Sequence, residues 1–401
     1  MYKLFSLILL LLSVNSWSQN IQTDNIIPGQ YIVILKESDA VPVVKSGLST
    51  SRSANTPNKE LRDQNINKLK ALQQRKRLNS SSILFEYADA IVGFSARLTD
   101  AEVTALKNDP LVEGVYPDRK FQLEQTIAGV ESNNNVFTQT EDCAIITAGG
   151  HVDGSLKFTW IWILDSGIDT DHPDLNVQSY SPYAAYYSGN SIEDLHGHGT
   201  HVAGIAAAKD NGFGVVGLSA GAKVVPVKVV DDNGNGVIST VIAGLNHVAQ
   251  YSIPGDVVNM SLAYGEVCSQ LTGLSNVMIN LANAGVWMCV AAGNARLNTN
   301  SFAPGCFNYS RVFTVAAVDC QNLCAPFSNL GSSVDWYAVG VNVFSTYKDG
   351  GYTVLSGTSM ATPVVAGIVH SRGQAPIKGP PINCQIQELN ITTIKPFALR
   401  Q

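Results

Sequence analysis

The chain changes its hydrophobic pattern near residue 155, and from there two periodicities alternate. Short apolar runs of strand length are separated by Gly-rich turns and by segments of helical periodicity. The expected strands cover 159–164, 222–230, 256–260, 286–291 and 312–318, and the expected helices cover 202–208, 238–250 and 274–284. Strands that alternate with helices predict an α/β fold, a doubly wound and mostly parallel sheet with helices on both faces. In such folds the active site lies at the carboxyl ends of the strands.

Residues 30–120 follow another pattern, which is typical of a separate small α+β domain. Strand-like runs and helical segments come in the order β-α-β-β-α-β, over 31–35, 59–77, 83–87, 91–95, 99–106 and 112–116. Thr99 and Glu102 have the spacing of a capping box, which opens a helix. This order predicts a ferredoxin-like domain ahead of the large one. Beyond the large domain, residues 372–381 are predicted to form a loop.

The N-terminal residues predict a signal peptide over residues 1–19. Lys3 precedes a short apolar stretch from Leu4 to Leu12, and Ser16 and Ser18 supply small residues around a cleavage site. A buried or anchoring helix is the alternative, but the stretch is too short to span a membrane and a polar run follows it. The protein is therefore expected to be secreted.

Composition narrows the function classes further. The chain is 45% apolar and 14% charged, well below the ~25% charged residues of an average domain, which indicates a large core. The net charge is −6 without a global basic excess, so nucleic acid is not expected as a partner. No apolar run reaches the ~18 residues of a membrane helix, so no membrane span is expected.

The cysteines suit an exported protein, and all of them lie in the second part of the chain. They are Cys143, Cys268, Cys289, Cys306, Cys320, Cys324 and Cys384. Because the number is odd, at least one is free or pairs between chains. Cys320 and Cys324 are also candidate metal ligands. No matching Cys or His pair has finger-like spacing, so disulfides of undetermined connectivity are favoured.

Asp165 and His198 are the first candidates for chemistry. Asp165 ends an apolar strand, where a buried carboxylate is costly unless it is paired, although an Asp before Ser-Gly is also ordinary turn chemistry. His198 lies in a Gly-rich segment that runs into a helix, and a His at a helix start acts as a general base when a carboxylate orients it. His196, His198 and His201 also suggest zinc, but their spacing lacks the pair of a metal helix and its Glu.

Ser359 and Asn294 complete the set. Ser359 is expected at a helix start, either as a plain N-cap or as a nucleophile beside free backbone N–H groups and the positive end of the helix dipole. Asn294 follows an apolar strand and is either a turn residue or an amide donor to a developing oxyanion. Together the four residues supply an orienting carboxylate, a base, a nucleophile and an oxyanion donor, in the chain order Asp, His, Ser.

Three segments resemble the signatures of the subtilisin-like (subtilase) family of serine proteases, nearest to its proteinase K-like branch. They are Ile163–Asp169, His198–Gly204 and Gly357–Pro363, which read ILDSGID, HGTHVAG and GTSMATP. The resemblance covers about residues 155–370. Residues 30–120 also resemble the family's inhibitory propeptide. The resemblance therefore implies a subtilisin-like fold behind a small propeptide domain.

The resemblance also implies a role for each candidate residue. Ser359 would attack the scissile carbonyl, His198 would take and return its proton, and Asp165 would hold the imidazole. Asn294 and the Ser359 backbone N–H would bind the oxyanion. The implied protein is a secreted, self-processing serine endopeptidase that needs no cofactor for its chemistry. A structural calcium ion is allowed by the resemblance, with ligands unknown.

Two segments are expected to bind protein or peptide substrates. Gly234-Asn235-Gly236 resembles the family's edge segment that pairs with an extended chain; its alternatives are a plain turn, or a calcium loop with Asp231 and Asp232. The opposite segment reads Ser261-Leu262-Ala263-Tyr264, where the family usually has Ser-Leu-Gly-Gly. Ala263 and Tyr264 are therefore expected to narrow or reshape the first specificity pocket.

The expected domains are an inhibitory propeptide over 20–125 and a catalytic domain over 126–401. The segment Tyr116–Thr126 is expected to lie in the active-site cleft and to be cut by the enzyme itself, and the released propeptide is an expected partner as inhibitor. Two other functional hypotheses are compatible with the sequence. One is a catalytically silent binding module of the same fold, argued from Ala263 and Tyr264, and the other is a metal-dependent hydrolase built on the three histidines.

Overall fold

A computed structural model describes residues 25–36, 59–123, 127–129, 138–178, 183–184 and 191–401. The predicted signal peptide lies outside these residues. The helices of the described part are α1 (Lys59–Arg75), α2 (Asp100–Lys107), α3 (Cys143–Thr147), α4 (His198–Ala207), α5 (Ile238–Tyr251), α6 (Thr272–Asn283) and α7 (Thr358–Arg372).

The strands of the described part run from the small domain to the C-terminal end. They are β1 (Ile26–Leu35), β2 (Ile83–Tyr87), β3 (Gly93–Arg97), β4 (Val112–Gln122), β5 (Ile127–Gly129), β6 (Val152–Asp153), β7 (Ile161–Asp165), β8 (Asn176–Val177), β9 (Tyr183–Ala184), β10 (Ser219–Ala220), β11 (Lys223–Lys228), β12 (Asn235–Val237), β13 (Val257–Met260), β14 (Trp287–Ala291), β15 (Val312–Val318), β16 (Val334–Val339), β17 (Val343–Tyr347), β18 (Gly351–Ser356), β19 (Ile377–Ile386) and β20 (Ile391–Leu399).

The large domain is built on one mostly parallel sheet, as predicted. Its strand order is β19-β20-β16-β15-β14-β13-β7-β11-β8, with β9 also pairing with β11. The neighbouring pairs from β20 to β8 are parallel, and β19 with β20 is the antiparallel exception. Parallel strands need a crossover between them, and the helices supply it.

The central strand β7 explains why helices cover both faces of this sheet. Ile161 and Ile163 pack in the same core cluster as α4 and α7, whereas Trp162 and Leu164 pack with α5 and α6. Successive side chains of a strand point to opposite faces, so a strand that is buried on both sides must be apolar throughout. This constraint explains why the run Ile161–Leu164 is apolar without interruption.

The small domain has the predicted ferredoxin-like order. Its strands lie side by side as β4-β1-β3-β2, all antiparallel, and α1 and α2 complete a core that includes Leu69, Phe94 and Leu106. The capping box is present at the start of α2. The Thr99 side chain accepts from the Glu102 N–H, and the Glu102 carboxylate accepts from the Thr99 N–H.

The small domain is docked on the large one through a shared sheet and a shared core. β12 of the large domain pairs antiparallel with β4, which makes a five-stranded sheet of order β12-β4-β1-β3-β2. One hydrophobic cluster joins Ile34, Tyr87 and Phe121 of the small domain to α5 and α6. The two domains therefore lie against each other over a buried apolar surface and not only at a rim.

The C-terminal residues differ from the prediction. The predicted loop at 372–381 is wrong over its second half, because Ile377–Ile386 is strand β19, paired with β20 in a hairpin at the sheet edge. Gly379, Pro380 and Pro381 gave the segment its loop-like composition. Proline is tolerated on an edge strand, since an edge leaves one row of backbone groups unpaired. Composition alone could not separate an edge strand from a loop.

Six of the seven cysteines form disulfides. The pairs are Cys143–Cys320, Cys268–Cys306 and Cys324–Cys384, while Cys289 is free and buried in β14. Cys320 and Cys324 belong to different disulfides, which confirms disulfides over metal ligation for that pair. The Cys324–Cys384 disulfide ties the hairpin strand β19 to the body of the large domain.

We expect loss of the Cys324–Cys384 disulfide to destabilise the hairpin. The residues are 60 apart in the chain, and closing a loop of that length is worth up to about 4 kcal/mol in the chain-entropy account. The variant Cys324→Ser/Cys384→Ser, made with Ser359→Ala to prevent self-digestion, should have a lower Tm by calorimetry and should be cut in the hairpin by added trypsin. The matched control is Cys268→Ser/Cys306→Ser, which should lower Tm without exposing the hairpin. Equal hairpin cleavage in both would contradict the tethering role.

Candidate active site

Asp165 is the last residue of β7, at the carboxyl end of the parallel sheet. It lies between β11 and β13, the two strands that pair with β7, and its side chain is fully buried. Its Oδ1 accepts the N–H of Ser166 at 2.8 Å. The strand therefore places a carboxylate at the carboxyl end of the sheet, where open α/β folds have their active-site residues.

His198 is the first residue of α4 and meets Asp165 directly. Its Nδ1 lies 2.8 Å from Asp165 Oδ1, and both side chains are buried. Burial alone would lower the pKa of His198. The charge of Asp165, its hydrogen bond and the charge of Asp194 outweigh burial and raise the pKa of His198 above its usual value. Its imidazolium form is therefore stabilised where an isolated buried histidine would stay neutral.

Ser359 lies in the first turn of α7, beside the segment after β13. Its Oγ donates to Ser261 O at 3.1 Å, and Ser261 Oγ donates back to Ser359 O at 2.7 Å. His198 Nε2 is buried and has no hydrogen-bond partner among the described residues. The structure thus joins Asp165 to His198, while the contact of Ser359 is with Ser261. Serine–histidine contacts of this kind are often loose until substrate is bound.

Asn294 follows β14 and is anchored to the residue before Ser359. Its Oδ1 accepts both the N–H and the hydroxyl of Thr358, at 2.8 Å and 2.9 Å. Gly293, the preceding residue, has φ +98°, and a Cβ there would lie 2.4 Å from Asn329 Nδ2. The glycine is required for this close turn. The amide oxygen of Asn294 is therefore fixed on Thr358, with the carboxamide next to the helix start that carries Ser359.

Two of the three histidines of the sequence segment have different hydrogen-bond partners. His198 contacts Asp165, and His201 Nε2 lies 3.1 Å from Thr353 O. Burial and the nearby His198 charge lower the pKa of His201 to about 3, and burial likewise lowers the pKa of His196. In the part of the chain that the structure describes, no group of three His, Cys, Asp or Glu side chains could hold a metal ion. The arrangement does not favour a zinc centre.

The predicted substrate edge is occupied by the chain's own small domain. Asn235, Gly236 and Val237 pair antiparallel with Gln122, Phe121 and Lys120, and Leu123 N–H donates to Gly234 O at 2.8 Å. A Cβ on Gly236 would lie 2.4 Å from the Phe121 ring, so the absence of a side chain there lets the two strands approach. Gly234 lies in a turn, with φ +82° and its N–H donating to Asp231 O at 3.0 Å, while Asn235 and Gly236 belong to strand β12.

The opposite segment runs from Ser261 to Tyr264. Ser261 contacts Ser359, and Leu262 and Ala263 are buried behind it. The Tyr264 ring packs against Phe121 with 4.8 Å between ring centroids. Burial and the charge of Glu266 raise the pKa of the Tyr264 hydroxyl well above its usual value, so this group stays protonated. Tyr264 therefore contributes an apolar ring where the small domain enters the cleft.

Asp194 is a residue of the site that was not predicted from the sequence. Its buried carboxylate accepts hydrogen bonds from Ser166 and from the backbone at the start of α4. An Asp placed shortly before a helix is a recognised capping signal. The position of Asp194, four residues before the first residue of α4, is therefore the sequence signal that could have identified it.

Two family models match this chain. The one described as "Subtilase family" covers residues 157–378, and the one described as "Peptidase inhibitor I9" covers residues 30–124. A thermostable alkaline protease of Halalkalibacterium halodurans is 37% identical over 68% of this chain and 70% of its own length. Subtilisin-like protease 5 of Arthroderma gypseum is 30% identical over 98% of this chain and 94% of its own. Among solved structures, a cold adapted subtilisin-like serine proteinase matches 62% of this chain and 92% of its own with a TM-score of 0.49 and 26% identity.

A parallel α/β sheet with a buried Asp–His contact at its carboxyl edge, behind an inhibitor-type domain, is the architecture of subtilisin-type serine endopeptidases. The chain belongs to the subtilase family. It is a serine endopeptidase with a propeptide domain of the I9 inhibitor type. Assignment to the serine endopeptidases contradicts the two other hypotheses, a catalytically silent binding module and a metal-dependent hydrolase.

We expect Asp165→Asn to lower the pKa of His198, because the carboxylate charge that raises this pKa is removed while the shape of the side chain is kept. The measurement is an NMR titration of the histidine side chains, made on Ser359→Ala protein so that self-digestion does not interfere. His172, whose Nε2 lies 3.0 Å from Gly351 O, is an internal control and should titrate unchanged. An unchanged His198 titration would contradict the assigned electrostatics.

Proposed function

We propose that Asp165, His198 and Ser359 form the catalytic triad of a secreted endopeptidase. Ser359 Oγ attacks the scissile carbonyl while His198 Nε2 takes its proton, and His198 then gives this proton to the leaving amine. Asp165 accepts the Nδ1–H and stabilises the imidazolium. The observation that carries the proposal is the buried 2.8 Å contact between His198 Nδ1 and Asp165 Oδ1, which leaves Nε2 as the nitrogen for the serine.

Asn294 and the backbone N–H of Ser359 are proposed as oxyanion donors. Ser359 is the second residue of α7, so its N–H belongs to the first turn, whose donors lack helical partners. The anchoring of Asn294 Oδ1 by Thr358 supports the role of its amide, because it fixes the carboxamide beside the helix start that carries Ser359. Preorganised donors act strongly in a site that excludes water.

Substrate is proposed to bind as an added β-strand between two segments of the cleft. One is Gly234-Asn235-Gly236, and the other is Ser261-Leu262-Ala263. The small domain supports this mode, because its own strand β4 runs along the first segment in antiparallel register. Backbone hydrogen bonds would give affinity for any extended chain, and the side-chain pockets would give preference.

The processing site is proposed to lie between Leu123 and Ile127. On one side Leu123 donates to Gly234 O. On the other side Ile127 pairs with Ser356, three residues before Ser359, in the antiparallel pair β5–β18. Leu123 and Ile127 are four peptide bonds apart in the chain, and Ser356 is close in sequence to the proposed nucleophile. The proposed boundary between a propeptide over 20–125 and a catalytic domain over 126–401 lies in this interval.

The small domain is also proposed to inhibit the enzyme until it is removed. Its last strand occupies the substrate edge, and several polar contacts hold it there. Asn246 Oδ1 of α5 accepts the N–H groups of Asp89 and Ala90, and Arg119 pairs with Glu266 at 2.7 Å. An occupied edge excludes a competing substrate chain.

Secretion is supported by the predicted signal peptide and by the three disulfides, which persist in oxidising compartments. Within the described residues, no helix is long and apolar enough to cross a bilayer. The chemistry proposed here uses protein groups alone. A structural calcium ion stays a prediction from the family resemblance, without assigned ligands.

Ser359→Ala should abolish processing, because the proposed nucleophile is lost. The wild-type precursor should release a product whose N-terminus lies between residues 124 and 127, read by intact mass. Ser345→Ala is the matched control, since Ser345 is a buried serine that donates to His201 O, away from the proposed nucleophile. Processed wild-type enzyme should also take one adduct of a serine-directed inhibitor, on Ser359. Maturation of Ser359→Ala in a protease-free host would contradict self-processing.

Asn294→Ala should lower kcat by the ~10²–10³ that loss of one oxyanion donor costs in serine proteases of this type. KM for a chromogenic peptide should change little, because the developing charge is absent from the bound substrate. Asn298→Ala serves as the control, since Asn298 caps a short turn outside the proposed site. Equal kcat losses in the two variants would argue against the oxyanion role.

A further inference from the structure

Asp194 is a fully buried carboxylate that the proposed reaction does not use. Its Oδ1 accepts hydrogen bonds from Ser166 Oγ at 2.8 Å, His196 N–H at 3.1 Å and Gly197 N–H at 2.8 Å. Its Oδ2 accepts from Thr200 N–H at 2.8 Å and from Thr200 Oγ1 at 2.6 Å. Five donors on one carboxylate offset the cost of taking the charge out of water.

These bonds cap the helix that carries His198. Gly197, the residue before α4, has a left-handed φ of 99° and has no side chain to cap the helix. Asp194 supplies the cap from three residues earlier, through the N–H groups of Gly197 and Thr200. A negative charge at the N-terminus of a helix is also favoured by the helix dipole. The position of His198 as the first helical residue therefore depends on Asp194.

The same carboxylate reaches Asp165 through Ser166. Ser166 Oγ donates to Asp194 Oδ1 and accepts the N–H of Gly199 at 3.0 Å. Ser166 N–H donates to Asp165 Oδ1 at 2.8 Å. Because Ser166 follows Asp165 and Gly199 follows His198, the network ties together the two segments that must hold the carboxylate against the imidazole.

We propose that Asp194 is a positioning residue for the triad. Its carboxylate caps the start of α4 and thereby holds the imidazole of His198 in contact with Asp165. Its charge also helps to stabilise the imidazolium that forms when Ser359 gives up its proton. The inference rests on the proposed triad. Asp194 touches neither substrate nor the reacting atoms and acts through His198.

The surrounding charges make this role measurable. Asp165 and Asp194 are the acidic groups that act on His198, and both raise its pKa. The other titratable neighbours are His196, whose ring centroid lies 6.3 Å away, and His201 on α4. Two further titratable residues contact the segment before α4. Tyr347, the last residue of β17, donates to His196 O, and Lys348, the next residue, donates to Leu195 O.

The test compares Asp194→Asn with Ser166→Ala in processed enzyme, using a chromogenic peptide and active-site titration. Asp194→Asn keeps the shape and removes the charge. It should lower kcat by about tenfold or more and move the acid limb of the kcat/KM profile to lower pH by about 0.5–1 unit. Ser166→Ala keeps the charge and removes the bridge. It should lower kcat with the acid limb unmoved, and KM should stay near wild type in both.

Asp256→Asn is the matched control. Asp256 is a buried carboxylate that accepts from Trp160 N–H and Trp162 Nε1–H, at the opposite end of β7. The Asp256→Asn variant should have a lower Tm and an unchanged acid limb of the kcat/KM profile. Wild-type kcat and acid limb in Asp194→Asn would overturn the inference, while an active Ser359→Ala would overturn the triad itself. If Asp194→Asn is not recovered as processed enzyme, Ser166→Ala decides, and full kcat in that variant overturns the inference.

Discussion

The buried contact between Asp165 and His198 is the interaction on which the rest of this structure depends. A carboxylate at the end of a parallel strand is expensive to desolvate unless it is paired, and an imidazolium in the same place is equally expensive. At a distance of 2.8 Å, the attraction between the two groups offsets the cost of desolvating each of them. To keep the two together, β7 must end and α4 must begin at adjacent points, and Ser166, Asp194 and Thr200 fill the space between them with hydrogen bonds. The sheet supplies the rigid frame for this arrangement.

A second constraint comes from the open edge beside the site. An unpaired strand edge is a template for any extended chain, which is useful in a protease and hazardous in a precursor. The precursor covers it with β4, and the pairing of Gly236 with Phe121 closes the edge at the same place where a substrate would extend it. In the proposed function, inhibition and substrate binding use this one surface, and removal of the small domain would expose it.

The interface around that edge contains buried polar groups, and hydrogen bonds between the two domains pair several of them. Asp118 accepts from Gln30 Nε2 and from the N–H of Ser239 at the start of α5. Burial raises the pKa of Asp118, although these bonds oppose it. Asn246 satisfies three successive backbone N–H groups from Asp89 to Ile91. Such contacts fix the register of the small domain, while Phe121 and Tyr264 bury apolar surface in the cluster that joins the two domains.

The sequence by itself determined the fold class, the order of elements in the small domain, the main strands and helices of the large domain between residues 159 and 318, and the candidate residues Asp165, His198, Asn294 and Ser359. It could do so because strand and helix periods, caps and Gly-rich turns are local signals, and because the segments around Asp165, His198 and Ser359 carry their residues in a short, dense pattern. Tertiary structure alone decided the rest. The cysteine pairs, the hairpin strand with Pro380 and Pro381, and the present contact of Ser359 with Ser261 all depend on segments that are far apart in the chain. The role of Asp194 depends on the same kind of contact, because a capping carboxylate becomes a link to Asp165 only when β7 and α4 lie side by side.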